Sequence, residues 1–260
     1  MHKYRMEIPA VRQSVEKLGE RLERFADRYR RTVAAGHVVS LTDNAMGNLA
    51  FQGHELIREL QLPVPSGQVM IHINTFHALK ELHVIIDACA ELQIGELLVI
   101  SGDGSVRLPK LKNAELDSVA AGVTSVELLS YLRRHYGKIF RYGVAFNQYE
   151  PAAHEEEKLR RKLDAGAEFV ITQPVLKANL RIGELLRTLP VPLYLEAWMS
   201  PKIDLLRQCI GYEIAVAAPY EPLAALRQLQ EDYPNCPVYL AMVDFNSQFD
   251  RLIRPTEAVG

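Results

Sequence analysis

Residues 158–174 read KLRRKLDAGAEFVITQP, and this stretch contains one complete helix-to-strand unit. A basic helical end is followed by a tight Asp-Ala-Gly-Ala turn and by a short apolar strand, residues 169–172. The strand leads directly to Gln173, whose amide carries both donors and acceptors. In parallel α/β folds the carboxyl ends of the strands bind ligands, so Gln173 is a candidate for reading the edge of a heterocycle. The alternative is a purely structural unit with a polar strand cap.

The same alternation of strand and helix recurs along the 260 residues. Short apolar runs predict buried parallel strands, since both of their faces lack polar residues. They are residues 4–8, 37–42, 68–73, 96–101, 140–146, 169–172, 192–197 and 238–243. Helical patterns fall between them at residues 11–31, 53–60, 77–92, 124–136, 154–165, 176–189, 202–210 and 221–232. Eight such alternations predict an α/β fold, a single-domain (β/α)₈ TIM barrel over residues 1–260.

Two features leave the strand count and the topology open. An extra apolar run at residues 213–218 competes with residues 238–243 as the strand that closes the barrel. A doubly wound open sheet is the main rival fold, but it predicts a glycine-rich phosphate turn after the first strand. The chain has Pro9-Ala-Val-Arg12 there and no GxGxxG or GxxxxGK[ST] pattern, which favours the barrel.

Composition narrows the class of protein. The net charge of -2 gives no electrostatic reason to expect a nucleic-acid partner. No apolar run approaches the length of a membrane span, so we expect no membrane association. Cys89, Cys209 and Cys236 are far apart and form no CxxC pair, which fits a reducing cytoplasm.

Polar side chains concentrate at the predicted strand ends, and two carboxylates stand out. Glu7 lies between Met6 and Ile8, so desolvation is expected to raise its pKa and suit it to general acid catalysis. The alternative for Glu7 is an inward-pointing barrel residue that is paired with a cation. Asp103 lies in a Gly-Asp-Gly turn that allows a ligand to approach the backbone, although such turns are also common structural features.

The histidines and the tryptophan offer weaker signals. His72, His77 and His83 do not share one helix face, so we predict no metal site. Trp198, the only tryptophan, follows the seventh strand and is interpreted as a core or rim aromatic, or as a stacking surface for a ring-shaped ligand.

These strand ends resemble those of the methylenetetrahydrofolate reductase family, flavoprotein barrels that reduce methylenetetrahydrofolate to methyltetrahydrofolate. The segment RKLDAGAEFVITQ at residues 161–173 is similar to the family's RK.DAGA…ITQ nearly residue for residue. Three further segments resemble V.VTDN, HLTC and ALRGD, and a weaker one resembles FE..PP. They are VSLTDN at 39–44, IHINT at 71–75, LVISGD at 98–103 and MEIP at 6–9.

The resemblance implies a set of site residues. Glu7 would protonate the folate N10 leaving group, Asp103 would help to place the pterin between flavin and substrate, and Gln173 would bind the pterin edge. Asn147 follows strand five and would complete the substrate side. Cofactor contacts would come from Thr42, His72, Ser101, Gly102, Arg161 and Lys162, the last two meeting the flavin phosphates. The implied ligands are reduced folate, FAD and NAD(P)H or NADH as electron donor.

The chain also departs from the family pattern. Ser101 replaces the family's Arg before Gly-Asp, Asn147 stands at the family's aromatic position, and Glu196-Ala-Trp198 replaces a Pro-Gly turn. These departures leave three functions open. The first is a reductase, with flavin or with direct hydride transfer from a nicotinamide, acting alone, as a homo-oligomer or with a redox partner subunit. The second is a non-reducing folate-binding or methyl-transfer partner protein, and the third is a barrel lyase or isomerase.

Overall fold

The computed structural model describes residues 3–14, 16–214, 216 and 219–253, and these residues form a closed barrel of eight parallel strands in sequential order. All eight strands fall within two residues of their predicted bounds. They are β1 (Arg5–Ile8), β2 (Val38–Leu41), β3 (Val69–Ile73), β4 (Glu96–Val99), β5 (Arg141–Phe146), β6 (Phe169–Pro174), β7 (Leu193–Trp198) and β8 (Val238–Ala241). The predicted TIM barrel is therefore confirmed.

Helices surround the barrel and bury their apolar faces against the outer side of the strands. The eight predicted helices are present, and a further helix follows β8. They are α1 (Leu18–Ala34), α2 (Gly53–Glu59), α3 (Leu79–Glu91), α4 (Ser125–Tyr136), α5 (Ala152–Asp164), α6 (Leu180–Thr188), α7 (Ile203–Ile210), α8 (Pro222–Asp232) and α9 (Phe245–Ile253). Among the described residues, none of these helices is long and apolar enough to cross a membrane.

Helix α1 begins seven residues later than predicted because the segment before it pairs with another part of the chain. Arg12 forms an isolated antiparallel bridge with Ala50, and the Gln13 amide donates to the Leu49 carbonyl at 3.1 Å. Helix α6 likewise begins at Leu180, where the side chain of Asn179 accepts a hydrogen bond from the Arg181 amide at 2.9 Å and caps the helix. Long-range pairing and a local cap thus shortened both predicted helices.

The barrel is closed by β8, which pairs with β7 on one side and β1 on the other. The eighth strand therefore lies in the predicted run at residues 238–243. The competing run at 213–218 contains three residues, Ala215, Ala217 and Ala218, that lie outside the described residues.

The amino-terminal half of the barrel interior, here called the floor, is filled by a buried ionic and aromatic cluster. The Arg5 guanidinium makes two hydrogen bonds to the Glu96 carboxylate, and Arg141 donates to the same carboxylate at 3.0 Å. Arg5 also lies over the Tyr194 ring at 4.3 Å from its centroid, a favourable cation–π arrangement. Gly143 admits the Phe169 ring at this level, since a Cβ on Gly143 would lie 2.0 Å from that ring. The floor is therefore closed, and the open part of the interior lies toward the carboxyl ends.

Candidate active site

A cavity of about 400 Å³ opens at the carboxyl ends of the strands, within the range of roughly 300–1,000 Å³ that is common for small-molecule sites. Nine of the ten predicted site residues line it. These are Glu7, Thr42, His72, Ser101, Gly102, Asp103, Asn147, Lys162 and Gln173. Arg161, the tenth, is absent from the lining. The cavity therefore brings together residues from strands at opposite ends of the sequence.

Glu7 lies at the base of this cavity and is held by a tyrosine rather than by a cation. The Tyr239 hydroxyl donates to Glu7 Oε2 at 2.6 Å, although the two residues are 232 positions apart. Desolvation raises the pKa of Glu7, while the hydrogen bond from Tyr239 opposes this rise. The raised pKa agrees with the expectation from sequence, and no described residue forms the ion pair that the alternative interpretation required.

Tyr239 continues the hydrogen-bonded network from Glu7 into the barrel wall. Its hydroxyl lies 3.1 Å from both Ser40 Oγ and His72 Nε2, and these two atoms are 2.8 Å apart. Burial lowers the pKa of His72 to about 4, so this imidazole is neutral at physiological pH. His72 thus supports the position of Tyr239 without adding a positive charge next to Glu7.

A second carboxylate, Glu196, enters the same cavity from β7. Desolvation raises its pKa well above the ordinary value, and the charge of Glu7 raises it further. Among the residues that the structure describes, none donates a hydrogen bond to the Glu196 carboxylate or forms an ion pair with it. From the sequence, Glu196 is the polar residue at the end of the seventh strand and a departure from the family pattern, but it was not among the predicted site residues. Its position in the apolar strand LYLEAW, on the same face as Tyr194, was the available signal.

Gln173 is held at the cavity by the loop that follows β5. Gln148 Oε1 accepts a hydrogen bond from the backbone N–H of Gln173 at 3.1 Å, and Gln148 Nε2 donates to the backbone carbonyl of Gln173 at 2.8 Å. The pairing of β6 with β7 shifts register between Ile171 and Pro174, so the strand is irregular at Gln173. The Gln173 side chain itself makes no hydrogen bond to any described residue, so its amide is available to a ligand.

Asp103 lies at the rim of the cavity, on the loop after β4. Its Oδ2 accepts a hydrogen bond from the Met46 amide at 2.8 Å, which joins this loop to the one after β2. Gly102 has a φ of +79°, and a Cβ there would lie 2.7 Å from Asn74, so only glycine fits. Ser101 Oγ accepts from the Ser125 amide at 3.2 Å, at the start of α4. The serine that replaces the family's arginine therefore supports a helix terminus.

The cations near the cavity are all engaged with protein groups. Lys162 donates to the Ala145 carbonyl at 2.6 Å, and its ammonium lies 3.6 Å from Glu155; desolvation lowers its pKa to about 8. Lys158 pairs with the same carboxylate at 2.8 Å. Arg161 points away from the cavity and pairs with Glu127 at 2.8 Å. Each of these three cations is therefore already paired with a carboxylate of the protein.

Asn147 and Thr42 complete the predicted lining, and both take part in local structure. The Asn147 amide donates to Glu155 at 3.0 Å, and its side chain accepts from the Tyr149 amide at 3.1 Å. Thr42 Oγ1 accepts from the Ala10 amide at 3.0 Å. Both side chains shape the wall of the cavity.

The three histidines considered from sequence lie in different environments. His77 bonds to Asp43 at 2.7 Å, and His83 lies between the hydroxyls of Tyr131 and Tyr136, away from His72. No group of three or more His, Cys, Asp or Glu suited to a metal ion occurs within the described ranges. Trp198 is buried, lines the cavity and packs against Leu206 and Ile210. Trp198 is therefore both a core residue and part of the cavity wall.

This arrangement defines a (β/α)₈ barrel whose ligand cavity offers two desolvated carboxyls at its base and a free amide at its wall. A model of the methylenetetrahydrofolate reductase family matches residues 8–180, two thirds of the chain. The chain belongs to the methylenetetrahydrofolate reductase family. The matched region contains the segment 161–173 and most of the cavity lining, but not Glu7, Glu196 or Tyr239.

Solved structures with similar folds include 2,3-dimethylmalate lyase, with a TM-score of 0.53, 10% identity and coverage of 96% of this chain and 80% of that one. Oxaloacetate acetylhydrolase matches with a TM-score of 0.53 and 10% identity, covering 96% and 79%. At these identities the similarity shows the barrel fold alone. No curated protein matches the chain.

Proposed function

We propose that this protein is an oxidoreductase that reduces 5,10-methylenetetrahydrofolate to 5-methyltetrahydrofolate. The observation that carries the proposal is the joint presence of desolvated Glu7 and unpartnered Gln173 in one cavity of a family member. A protonated carboxyl and a free amide are what a pterin with a basic leaving nitrogen requires. In this proposal Asp103 and Asn147 place the pterin at the rim and wall.

The proposed reaction begins with proton transfer from Glu7 to folate N10. The bond between N10 and the methylene carbon then breaks, leaving a cationic iminium at N5. A hydride adds to the methylene carbon and gives the methyl group, so that one proton and one hydride are consumed. General acid catalysis of this kind typically contributes about 10²–10⁴ in rate. The carboxylate left on Glu7 also stabilises the adjacent iminium cation.

The hydride donor is proposed to be a dihydronicotinamide, NADH or NADPH, which becomes the oxidised nicotinamide cation. FAD was expected to bind through Arg161 and Lys162, but Arg161 pairs with Glu127 outside the cavity and Lys162 is bound to Ala145 and Glu155. Lys162 lines the cavity and Arg161 does not, so these two residues do not form one site that fits the diphosphate of FAD. A diffusible donor needs only its nicotinamide ring inside the cavity, with its diphosphate in water at the rim.

The test is a reductase assay with purified protein, 5,10-methylenetetrahydrofolate and NADH or NADPH. We expect folate-dependent oxidation of the donor and no flavin absorbance from the protein. Glu7→Gln should lower kcat about 10²–10⁴-fold while folate binding measured by calorimetry is retained. Full activity in Glu7→Gln would show that Glu7 is not the acid, and a yellow, flavin-containing protein would show that the donor assignment is wrong.

A second function, a folate-binding or methyl-transfer partner protein that does not reduce, is favoured by the same engaged cations. It keeps Gln173 and Asp103 for the pterin and needs no electron donor. Folate binding without oxidation of any tested donor, including a reduced dye, would support it over the reductase. Failure to bind reduced folate would remove both.

A further inference from the structure

Two carboxylates, Glu7 and Glu196, lie at the base of one cavity, and no cation among the described residues neutralises them. Glu7 on β1 is in register with Ala241, and Glu196 on β7 is in register with Tyr239, so both flank β8. Neighbouring strands are about 4.8 Å apart, which puts the two backbones on the order of 10 Å apart across β8. Both side chains line the same cavity and are partly exposed there.

The titratable groups that face this pair come from every side of the barrel, and none is a free cation. Tyr239 and His72 contact each other below it. The remaining charged or titratable groups in the lining are Asp43, Asp103, Glu150, Glu155, Lys158, Lys162 and Cys209. Both lysines pair with Glu155, and Asp43 is bonded to His77. Across the described chain, Glu7 and Glu196 form no ion pair with lysine, arginine or histidine.

Two carboxylates that share one cavity without a cation cannot both ionise cheaply, because each charge opposes the other. We infer that Glu7 and Glu196 act as one proton-sharing pair, which keeps one proton at the cavity base at neutral pH. The inference rests on the proposed function for its catalytic meaning. It adds Glu196 to the residues of the reaction.

The hydrogen bonds assign different roles to the two members. Glu7 receives the Tyr239 hydroxyl hydrogen, which stabilises its ionised form, whereas Glu196 has no donor among the described residues and holds a proton more tightly. The resting proton therefore resides mainly on Glu196. It moves within the pair to Glu7 and then to folate N10, leaving two carboxylates that regain one proton from water at the rim. Proton and charge balance in each cycle.

The first test is the pH dependence of kcat/KM in wild type and in Glu196→Gln. The second proton of the wild-type pair leaves against an existing negative charge, whereas Glu7 alone in the variant has no such neighbour. The alkaline loss of activity should therefore move to lower pH by about one unit or more, with activity recovered in acid. The proton-sharing pair would be contradicted if Glu196→Gln left the alkaline side of the kcat/KM profile unchanged, or if it lowered kcat/KM by the same factor at every pH. Glu184→Gln, an exposed glutamate on α6, is the matched control.

The second test does not require turnover. Infrared spectra of the folded protein should show a protonated carboxyl band near pH 7.5 that is lost in Glu196→Gln and unchanged in Glu184→Gln. In Glu7→Gln the band should titrate at lower pH than in wild type. Absence of the band from wild type, or the same titration in all variants, would contradict the pair. If the band behaves as expected but folate is not reduced, the proposed function fails and the pair stands.

Discussion

The floor and the mouth of this barrel handle buried charge in opposite ways, although the same strands build both. On β1, Arg5 belongs to the floor and Glu7 to the mouth, two residues along the same face. At the floor, Glu96 is bonded by two guanidinium groups. At the mouth, the Tyr239 hydroxyl is the only group among the described residues that donates a hydrogen bond to either Glu7 or Glu196. The floor carboxylate is therefore balanced by cations, while the two mouth carboxylates are not paired with any described cation.

The largest difference in stability is expected when a glutamate is replaced by glutamine at the floor and, separately, at the mouth. Glu96→Gln leaves the buried Arg5 without its carboxylate and should lower the free energy of unfolding by about 3–5 kcal/mol. Glu7→Gln removes an uncompensated carboxyl and should leave stability unchanged or raise it. Urea denaturation at pH 7.5 measures both. Equal losses in the two variants would remove the distinction between floor and mouth.

A steric change at the floor should have the next largest effect. The Cβ of Gly143→Ala would meet the Phe169 ring at 2.0 Å, and overpacking of this kind typically costs about 1–3 kcal/mol. Thermal unfolding followed by circular dichroism should show the loss. Folate binding should survive, because the mouth is unaffected. A fully stable variant would show that the floor is loosely packed.

The pH dependence of the free energy of unfolding should also distinguish the mouth of the barrel from its floor. The raised pKa of Glu196 means that the folded state holds a proton that the unfolded state releases. The contribution of Glu196 to stability is therefore fully present below about pH 4.5 and is lost as pH rises through the folded-state pKa. The slope for one proton is at most about 1.4 kcal/mol per pH unit. Glu196→Gln should flatten it in denaturation curves between pH 5 and 8. A slope unchanged by this substitution would show that other groups cause it.

The smallest expected effect is on ligand positioning at the mouth. Gln148→Ala removes both hydrogen bonds that hold the Gln173 backbone, and it should weaken folate binding about tenfold, or roughly 1.4 kcal/mol. Calorimetry measures this change. The control is Gln228→Ala, whose side chain bonds only to Asp232 on the surface of α8. Equal affinities in the two variants would remove Gln148 from a positioning role.

The sequence by itself determined the barrel and nine of the residues that line the cavity. Apolar runs of strand length alternate with helical periodicity, and parallel strands place their carboxyl ends at one edge, so residues such as Glu7, Asp103 and Gln173 were predictable as neighbours. Helix α9 was missed because its role is tertiary: Phe245 and Phe249 stack together beneath Arg31 of α1. The sequence of α9 alone does not indicate that α1 is its packing partner.

Only the tertiary structure decided what each charged side chain does. Arg161 and Lys162 are adjacent to the best-matched motif, yet Arg161 pairs with Glu127, 34 positions away, and Lys162 bonds to the wall of β5. Glu196 became part of the site only when β8 closed the barrel between β7 and β1. Periodicity encodes which face a residue occupies, because that depends on local backbone geometry. Pairing and protonation depend on long-range proximity and desolvation, which arise only when the barrel closes.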